Sequence, residues 1–312
     1  MIALQYDSYG SADVLKWNEI EIPEPSEKQV LIKIKAASLN PTDSKKRLGL
    51  FFSGGEDKFP KSMGMDFAGI VSKTGSEVSQ FKEGDEVLGY IGLKGGSFAD
   101  YVLADAAKVF KKPAKLKFEE AATLPMNAGT ALKVTNNYIK PSEGKTILIN
   151  GASGGIGLFV LQFCKIAGSI VSGTTSGEEN INKLNELGAD EVFDFEKENI
   201  LKSGKTFDAI LDTSGKLDFN DAKSILNENG EFITMVPKSD PKLPGQTDGS
   251  KMEILVNAVP GLKEFTECVR LAEEEKIIPL AGKTFPMSDA IDVIKKFDNG
   301  EFNVTGKIVL IN

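Results

Sequence analysis

The chain reads as an α/β protein in two parts, a β-rich and partly open barrel followed by a doubly wound parallel sheet. Three observations carry that expectation. Residues 144–157 read GKTILINGASGGIG: a short apolar strand at 146–150, glycines at 151, 154, 155 and 157, then an almost wholly apolar helical stretch. From there to residue 236, apolar strand patterns alternate with helical ones, as a parallel sheet wrapped on both faces requires. Before about residue 110, short alternating strands punctuated by glycine predict a barrel instead.

Taken in order, residues 30–36 (VLIKIKA) alternate apolar and charged side chains like a half-buried strand, with Pro23 and Pro25 as turn residues before them. Residues 67–73, 86–91 and 97–103 give three more strands, separated by Gly64, Gly69, Gly75, Gly84, Gly95 and Gly96. The character changes near Lys112-Pro113. A helical pattern covers 118–137, with Pro125 expected to kink it. Then come strand 146–150, helix 155–167, strand 169–174, helix 178–187, strands 191–194 and 207–212, helix 217–228 and strand 231–236. Residues 237–251 are polar and turn-rich, and a helix is expected at 262–275. The tail, 282–312, reads strand, helix, strand.

Composition narrows the chemistry. A net charge of −8 argues against nucleic acid and anionic membrane surfaces as partners. No apolar run reaches about 18 residues, so no membrane span is expected. The start, MIALQYDSYG, has no basic head before an apolar stretch, which predicts no signal peptide and a cytoplasmic location. The two cysteines, Cys164 and Cys268, lie in helical patterns and are expected to be buried thiols. There is no histidine, so a conventional zinc site and a histidine-dependent serine triad are both excluded as expectations.

The glycine stretch has a specific use. Glycines let the backbone turn tightly, let a phosphate approach and let helix pack on strand, while free N–H groups at the helix start face negative charge. A dinucleotide cofactor is therefore expected. The end of its second strand, 170–174, would meet the adenosine ribose. An acid there would bind the 2′-hydroxyl of NAD. Here Thr174, Thr175 and Ser176 leave room for a 2′-phosphate and can donate to it, which favours NADPH, with NADH possible. The alternative is that these hydroxyls cap the next helix, which opens with Glu178 and Glu179.

Several further segments carry a resemblance. They are Asn40-Pro41-Thr42-Asp43, Gly64-Met65-Asp66-Phe67-Ala68-Gly69, Gly96-Ser97-Phe98-Ala99-Asp100-Tyr101, Leu124-Pro125, Thr130-Ala131, Leu187-Gly188-Ala189-Asp190 and Gly306-Lys307-Ile308-Val309. In this order over nearly the whole chain, they resemble the medium-chain dehydrogenase/reductase superfamily, most of all its zinc-independent quinone oxidoreductase branch. The resemblance implies a GroES-like partly open β-barrel domain (1–122 and 265–312) plus a Rossmann doubly wound parallel sheet domain (123–264), with the cofactor in the cleft between them.

What the resemblance implies for individual residues follows. Zinc-bearing members have Cys where Asn40 stands and His where Met65 stands, with a third ligand near Met126, so no zinc is expected. Ser153, Gly154, Gly155, Ile156 and Gly157 would meet the pyrophosphate, and Thr174 and Ser176 the adenosine end. Relatives often have Lys where Asn180 stands and Tyr where Phe195 stands, both near the 2′-phosphate. Ser214 and Val236 would flank the ribose and nicotinamide. Asn40 and Thr130 would line the hydride site, and Lys307 is a candidate cofactor contact.

The expected function is zinc-free, NAD(P)H-dependent hydride transfer to a small electron-poor acceptor, a quinone or an α,β-unsaturated carbonyl. Asn40 and Asn127 are the candidate donors to the anion that results. The alternative is an NADPH-binding sensor or scaffold without turnover. Residues 254–259 (ILVNAV) read as an edge strand, and the resemblance implies a homodimer formed there.

Overall fold

The computed structural model describes residues 1–50, 58–235, 247–256 and 260–312. The chain divides into two units, 1–126 with 279–303 and 307–312, and 127–278 with 304–306.

The first unit opens with β1 (Ile2–Tyr6), β2 (Leu15–Glu19), β3 (Gln29–Ser38), helix α1 (Pro41–Arg47), β4 (Lys61–Ser62), β5 (Asp66–Thr74), β6 (Glu86–Tyr90), β7 (Tyr101–Asp105), β8 (Val109–Lys111) and the short α2 (Phe118–Ala121). Strand β3 is its axis. One edge pairs antiparallel with β5, and β7 pairs along Gln29–Lys33. Two register shifts against β5, at Leu31/Ile32 and Ile34/Ala36, bend the strand. Val30, Ile32, Ile34 and Ala36 are all fully buried, as the alternation predicts.

Four strands of this unit, β1, β2, β4 and β8, escape the sequence reading. β1 and β2 form a hairpin-like pair joined by β4. The strand expected at 97–103 begins only at Tyr101. Phe98 instead bonds Met63 and Leu4 through its backbone, and Ala99 bridges Ala3.

The second unit contains α3 (Gly129–Val134), β9 (Thr146–Asn150), α4 (Gly155–Ile166), β10 (Ile170–Thr175), α5 (Glu178–Glu186), β11 (Glu191–Asp194), β12 (Phe207–Asp212), α6 (Phe219–Ala222), β13 (Leu226–Thr234), β14 (Thr247–Asp248), β15 (Lys251–Leu255) and α7 (Leu262–Glu273). The sheet order is β11-β10-β9-β12-β13-β15, parallel throughout, with β14 antiparallel at the edge. This is the 3-2-1-4-5-6 order of a doubly wound dinucleotide-binding sheet, whose switch point lies between β9 and β12. Helix α4 buries eight residues from Gly157 to Cys164. At about 1.5–3 kcal/mol for each large apolar side chain, that burial holds the helix on the sheet.

Three boundaries differ from expectation. The pattern at 118–137 is broken into α2, a wide turn over Leu124–Ala128, α3 and a second wide turn, because Pro125 has no N–H to continue the ladder. The helix expected at 217–228 stops as α6 and one 3₁₀ turn, since Leu226 pairs with Phe207 and starts β13 ahead of a kink at Asn229, φ 63°. The return to the first unit falls after Ile278 rather than near 265. Phe265, Cys268 and Leu271 of α7 are buried, α7 packs on α3, and Gln162 clamps both backbone groups of Ile278. The chain then closes the first unit with β16 (Ala281–Pro286), α8 (Ala290–Asp298) and β17 (Lys307–Ile311). β17 lies between β16 and β3.

Candidate active site

The second unit gathers most of the expected cofactor residues at the carboxyl ends of β9, β10 and β12. Gly151, φ 87°, turns the chain out of β9. Gly154 is the N-cap of α4 and offers no side chain, so the first amides of a twelve-residue helix are left uncapped by any side chain. Gly157 has no alternative. A Cβ there would lie 2.5 Å from the Gly151 carbonyl oxygen and 2.9 Å from Ala152 Cα. A loop this closely wound, ending on an uncapped helix start, fits a pyrophosphate.

Side chains behind the loop hold it. Thr174 Oγ1 accepts from Gly151 N (3.1 Å) and donates to Asn150 Oδ1 (2.6 Å). Asn150 Nδ2 donates to Asp212 Oδ1 (2.8 Å) and Ser214 Oγ (2.9 Å). Thr213 Oγ1 donates to the carbonyls of Asn150 and Gly151, and Thr175 Oγ1 donates to Ser153 Oγ (2.8 Å). Asp212 is fully buried, and its Oδ2 has no hydrogen-bond partner.

Residues 304–306 belong here too: Gly306 N donates to Ser153 O, and Thr305 Oγ1 donates to Asn180 Oδ1 (2.7 Å). Asn180 Nδ2 in turn donates to Ser176 O (2.8 Å). The alternative reading of the hydroxyls as helix caps does not hold, because the N-cap of α5 is Gly177. Phe195 is exposed just past β11, while Thr130 and Asn127 are buried at the start of the unit. Val236 lies outside the described residues.

The first unit holds a different group. Asn40, Asp43, Asp66 and Lys307 are 1%, 1%, 0% and 6% exposed. Asp66 Oδ2 accepts from Ser38 Oγ (2.8 Å) and Asn40 Nδ2 (2.9 Å), and its Oδ1 accepts from Met126 N (3.1 Å). Lys307 Nζ donates to Asn40 Oδ1 (3.0 Å), so both ends of that amide are engaged. Asp43 Oδ2 accepts from Asn40 N (2.9 Å), and Oδ1 has no partner.

Burial sets the electrostatics. It pushes Asp43 up to about 7, helped by Asp66 and opposed by the Asn40 amide, Lys307 and Lys46. It pushes Asp66 up to about 6 against its hydrogen bonds and Lys307, and pulls Lys307 down to about 8. Lys46, which donates to the carbonyls of Ser62 and Lys94, also falls to about 8 through burial.

Sequence reading named Asn40 and Lys307 but missed Asp43 and Asp66 as members of one cluster, and missed Asp212 and Asn150. The Asn-Pro-x-Asp spacing was a usable signal, since an acid at the third helical position commonly reaches back to the N-cap amide. The would-be zinc positions do not form a metal-ligand set. Met65 is buried in the core and Asn40 is engaged as described. Among the described residues, no three His, Cys, Asp or Glu side chains converge as metal ligands.

Comparison with known proteins agrees with this architecture. Residues 26–114 match the family model described as alcohol dehydrogenase GroES-like domain, and residues 187–310 that described as zinc-binding dehydrogenase. The chain is 33% identical to the chloroplast envelope quinone oxidoreductase homolog of Arabidopsis thaliana, covering 99% of this chain and 98% of the relative. It is 32% identical to the NADPH-dependent alkenal/one oxidoreductase of the same plant, over 99% and 79%. The solved quinone oxidoreductase from Coxiella burnetii superposes with a TM-score of 0.84 at 28% identity, covering 100% of this chain and 99% of that one. The first unit is thus the GroES-like domain and the second the Rossmann-like domain, and the chain belongs to the quinone oxidoreductase branch of the medium-chain dehydrogenase/reductase superfamily.

Proposed function

We propose that this protein is an NADPH-dependent reductase of quinones or α,β-unsaturated carbonyls. The observation that carries the reading is the glycine cradle, in which a Cβ at Gly157 would collide with the Gly151 carbonyl. When bound, the reduced nicotinamide supplies the hydride. The chain supplies position. Ser153, Gly154, Gly155, Ile156 and Gly157 would hold the pyrophosphate, Thr174, Ser176 and Phe195 the adenosine end, and Thr130, Ser214, Val236 and Lys307 the remaining contacts. Asn40 and Asn127 are the proposed donors near the acceptor. Relatives named as quinone and alkenal/one oxidoreductases support the acceptor class.

We read the reaction as zinc-free. Donor chemistry supports this: the chain has no histidine, and amide and thioether groups at Asn40 and Met65 are poor zinc ligands. Quinones and enones suit such a site because they delocalise the negative charge that hydride addition creates. The test is NADPH oxidation with a panel of quinones and 2-alkenals. Tight NADPH binding with no turnover on any acceptor defeats the reading.

That outcome would favour the second reading, a nucleotide-binding sensor without turnover. It has an observation behind it, since both ends of the Asn40 amide are engaged within the protein.

We further propose a homodimer and a cytoplasmic location. Among the described residues β14 pairs with β15 at Lys251 and Met252, and the apolar run 254–259 that begins in β15 is the segment the sequence offers as an edge strand for pairing between copies. Residues 257–259 of the expected edge lie outside the described residues. Light scattering giving a monomer would remove the dimer. No described helix is long and apolar enough to cross a membrane, and fractionation of cells tests the location.

A further inference from the structure

A cavity of about 350 Å³ opens at the carboxyl ends of β9, β10 and β11, lined by Thr174, Phe193, Phe195 and Lys197 among others. It lies one strand across from the glycine loop, where the adenosine ribose of a dinucleotide sits in this fold class. The sequence points to the hydroxyls of Thr174, Thr175 and Ser176 as donors to a 2′-phosphate. The structure gives the protons of the two threonines, the last residues of β10, other uses. A hydroxyl has one hydrogen to donate. Thr174 gives its own to Asn150 and Thr175 to Ser153. Asn180 is buried, with its amide turned to Ser176 O and Thr305.

Lys197 is the one cation among the residues lining this cavity. Its side chain is 74% exposed, and Nζ lies 3.0 Å from Asp194 Oδ2, whose carboxylate is nearly buried. Asp194 stands in register with Thr175, so this ammonium is tethered beside the end of β10. The other charged residues lining the cavity, Glu196 and Glu198, are acidic, as is Asp194 beside it.

We propose that Lys197 is the specificity-determining residue for the 2′-phosphate of the cofactor, with Asp194 holding it in place. The proposal rests on the dinucleotide reading above. Lys197 neutralises Asp194 and presents a single point charge, so discrimination between NADPH and NADH is moderate and salt-sensitive.

The test measures binding, not turnover. NADPH, NADH, 2′,5′-ADP and 5′-ADP are titrated calorimetrically into wild type, Lys197→Ala, Lys197→Arg and Lys216→Ala. Lys216 is a control cation whose Nζ lies 5.8 Å from the Phe195 ring centre. Lys197→Ala should weaken NADPH and 2′,5′-ADP by about three- to tenfold, in keeping with an exposed charge contact. NADH and 5′-ADP should change less than about twofold, Lys197→Arg should restore the preference, and Lys216→Ala should keep it. Unchanged NADPH binding in Lys197→Ala overturns the proposal, as does an equal loss for phosphorylated and unphosphorylated ligands. If wild type binds neither dinucleotide, the cofactor reading itself fails.

Discussion

The glycine loop of the second unit and the polar cluster of the first are built from opposite materials. The loop is backbone with small residues drawn from one run of sequence, and its side-chain support is neutral apart from the Asp212 carboxylate. The cluster is charged side chains withdrawn from water, brought together from residues 38–43, 66 and 307 by three different strands and a helix start. At Gly157 the first tolerates no added atom. The second depends on which of its buried groups carries a charge. Steric exclusion and charge burial thus make two kinds of rigidity in one chain, and they should fail differently.

The largest effect on cofactor binding is expected at the loop. Gly157→Val places carbon against the Gly151 carbonyl, and should cost on the order of 3 kcal/mol and at least about a hundredfold in NADPH affinity, measured by nucleotide fluorescence. A variant that binds normally would show that the cradle is wider than drawn. In the cluster, Asp66→Ala removes the acceptor for Ser38, Asn40 and Met126 and leaves buried Lys307 with one of its two carboxylate neighbours gone. Urea unfolding should show a loss of about 3–5 kcal/mol.

The difference between the regions also explains what was legible. The loop, the strand at 146–150 and the parallel order of the second unit could be read because close backbone approach dictates residue type locally. Asp43 and Asp66 look like ordinary surface acids in sequence. Only topology, with β17 laid against β3, turns them inward beside Lys307. The hydroxyls of Thr174, Thr175 and Ser176 stand out in the sequence as a group, but sequence does not say where a proton is donated.

A pH experiment separates the regions further. Asp43 is raised in the folded state to about 7 and Asp66 to about 6, so both hold protons that the unfolded chain releases above about pH 4. Their contribution to stability is complete below that pH and is lost as pH rises to about 7. Lys307 and Lys46 are lowered to about 8 and act in reverse: stability falls as pH drops from about 10.5 to about 8. The cluster alone therefore predicts a stability trough between about pH 7 and 8. Asp43→Asn keeps an acceptor for the Asn40 amide and should flatten the acid limb, by up to about 4 kcal/mol at neutral pH. An unchanged urea midpoint against pH would mean that Asp43 ionises normally.

The smallest effect is a loop-side control. Thr305→Val deletes the hydroxyl that reaches Asn180 and should cost about 1 kcal/mol by urea midpoint, with no change in its pH dependence.

The position of β17 has a consequence for biogenesis. Strand β17 fits between β16 and β3, and it carries Lys307 into the cluster. On a ribosome, the second unit lacks only residues 304–306 when synthesis passes residue 278, but the first unit waits for residues 307–311 before its sheet can close. Until then the inner edge of β3, residues 36–38, and two buried carboxyl groups have no partner from β17. A chain stalled or clipped before residue 304 would thus present a nearly finished nucleotide domain joined to an unsealed barrel, a natural target for chaperones and proteases.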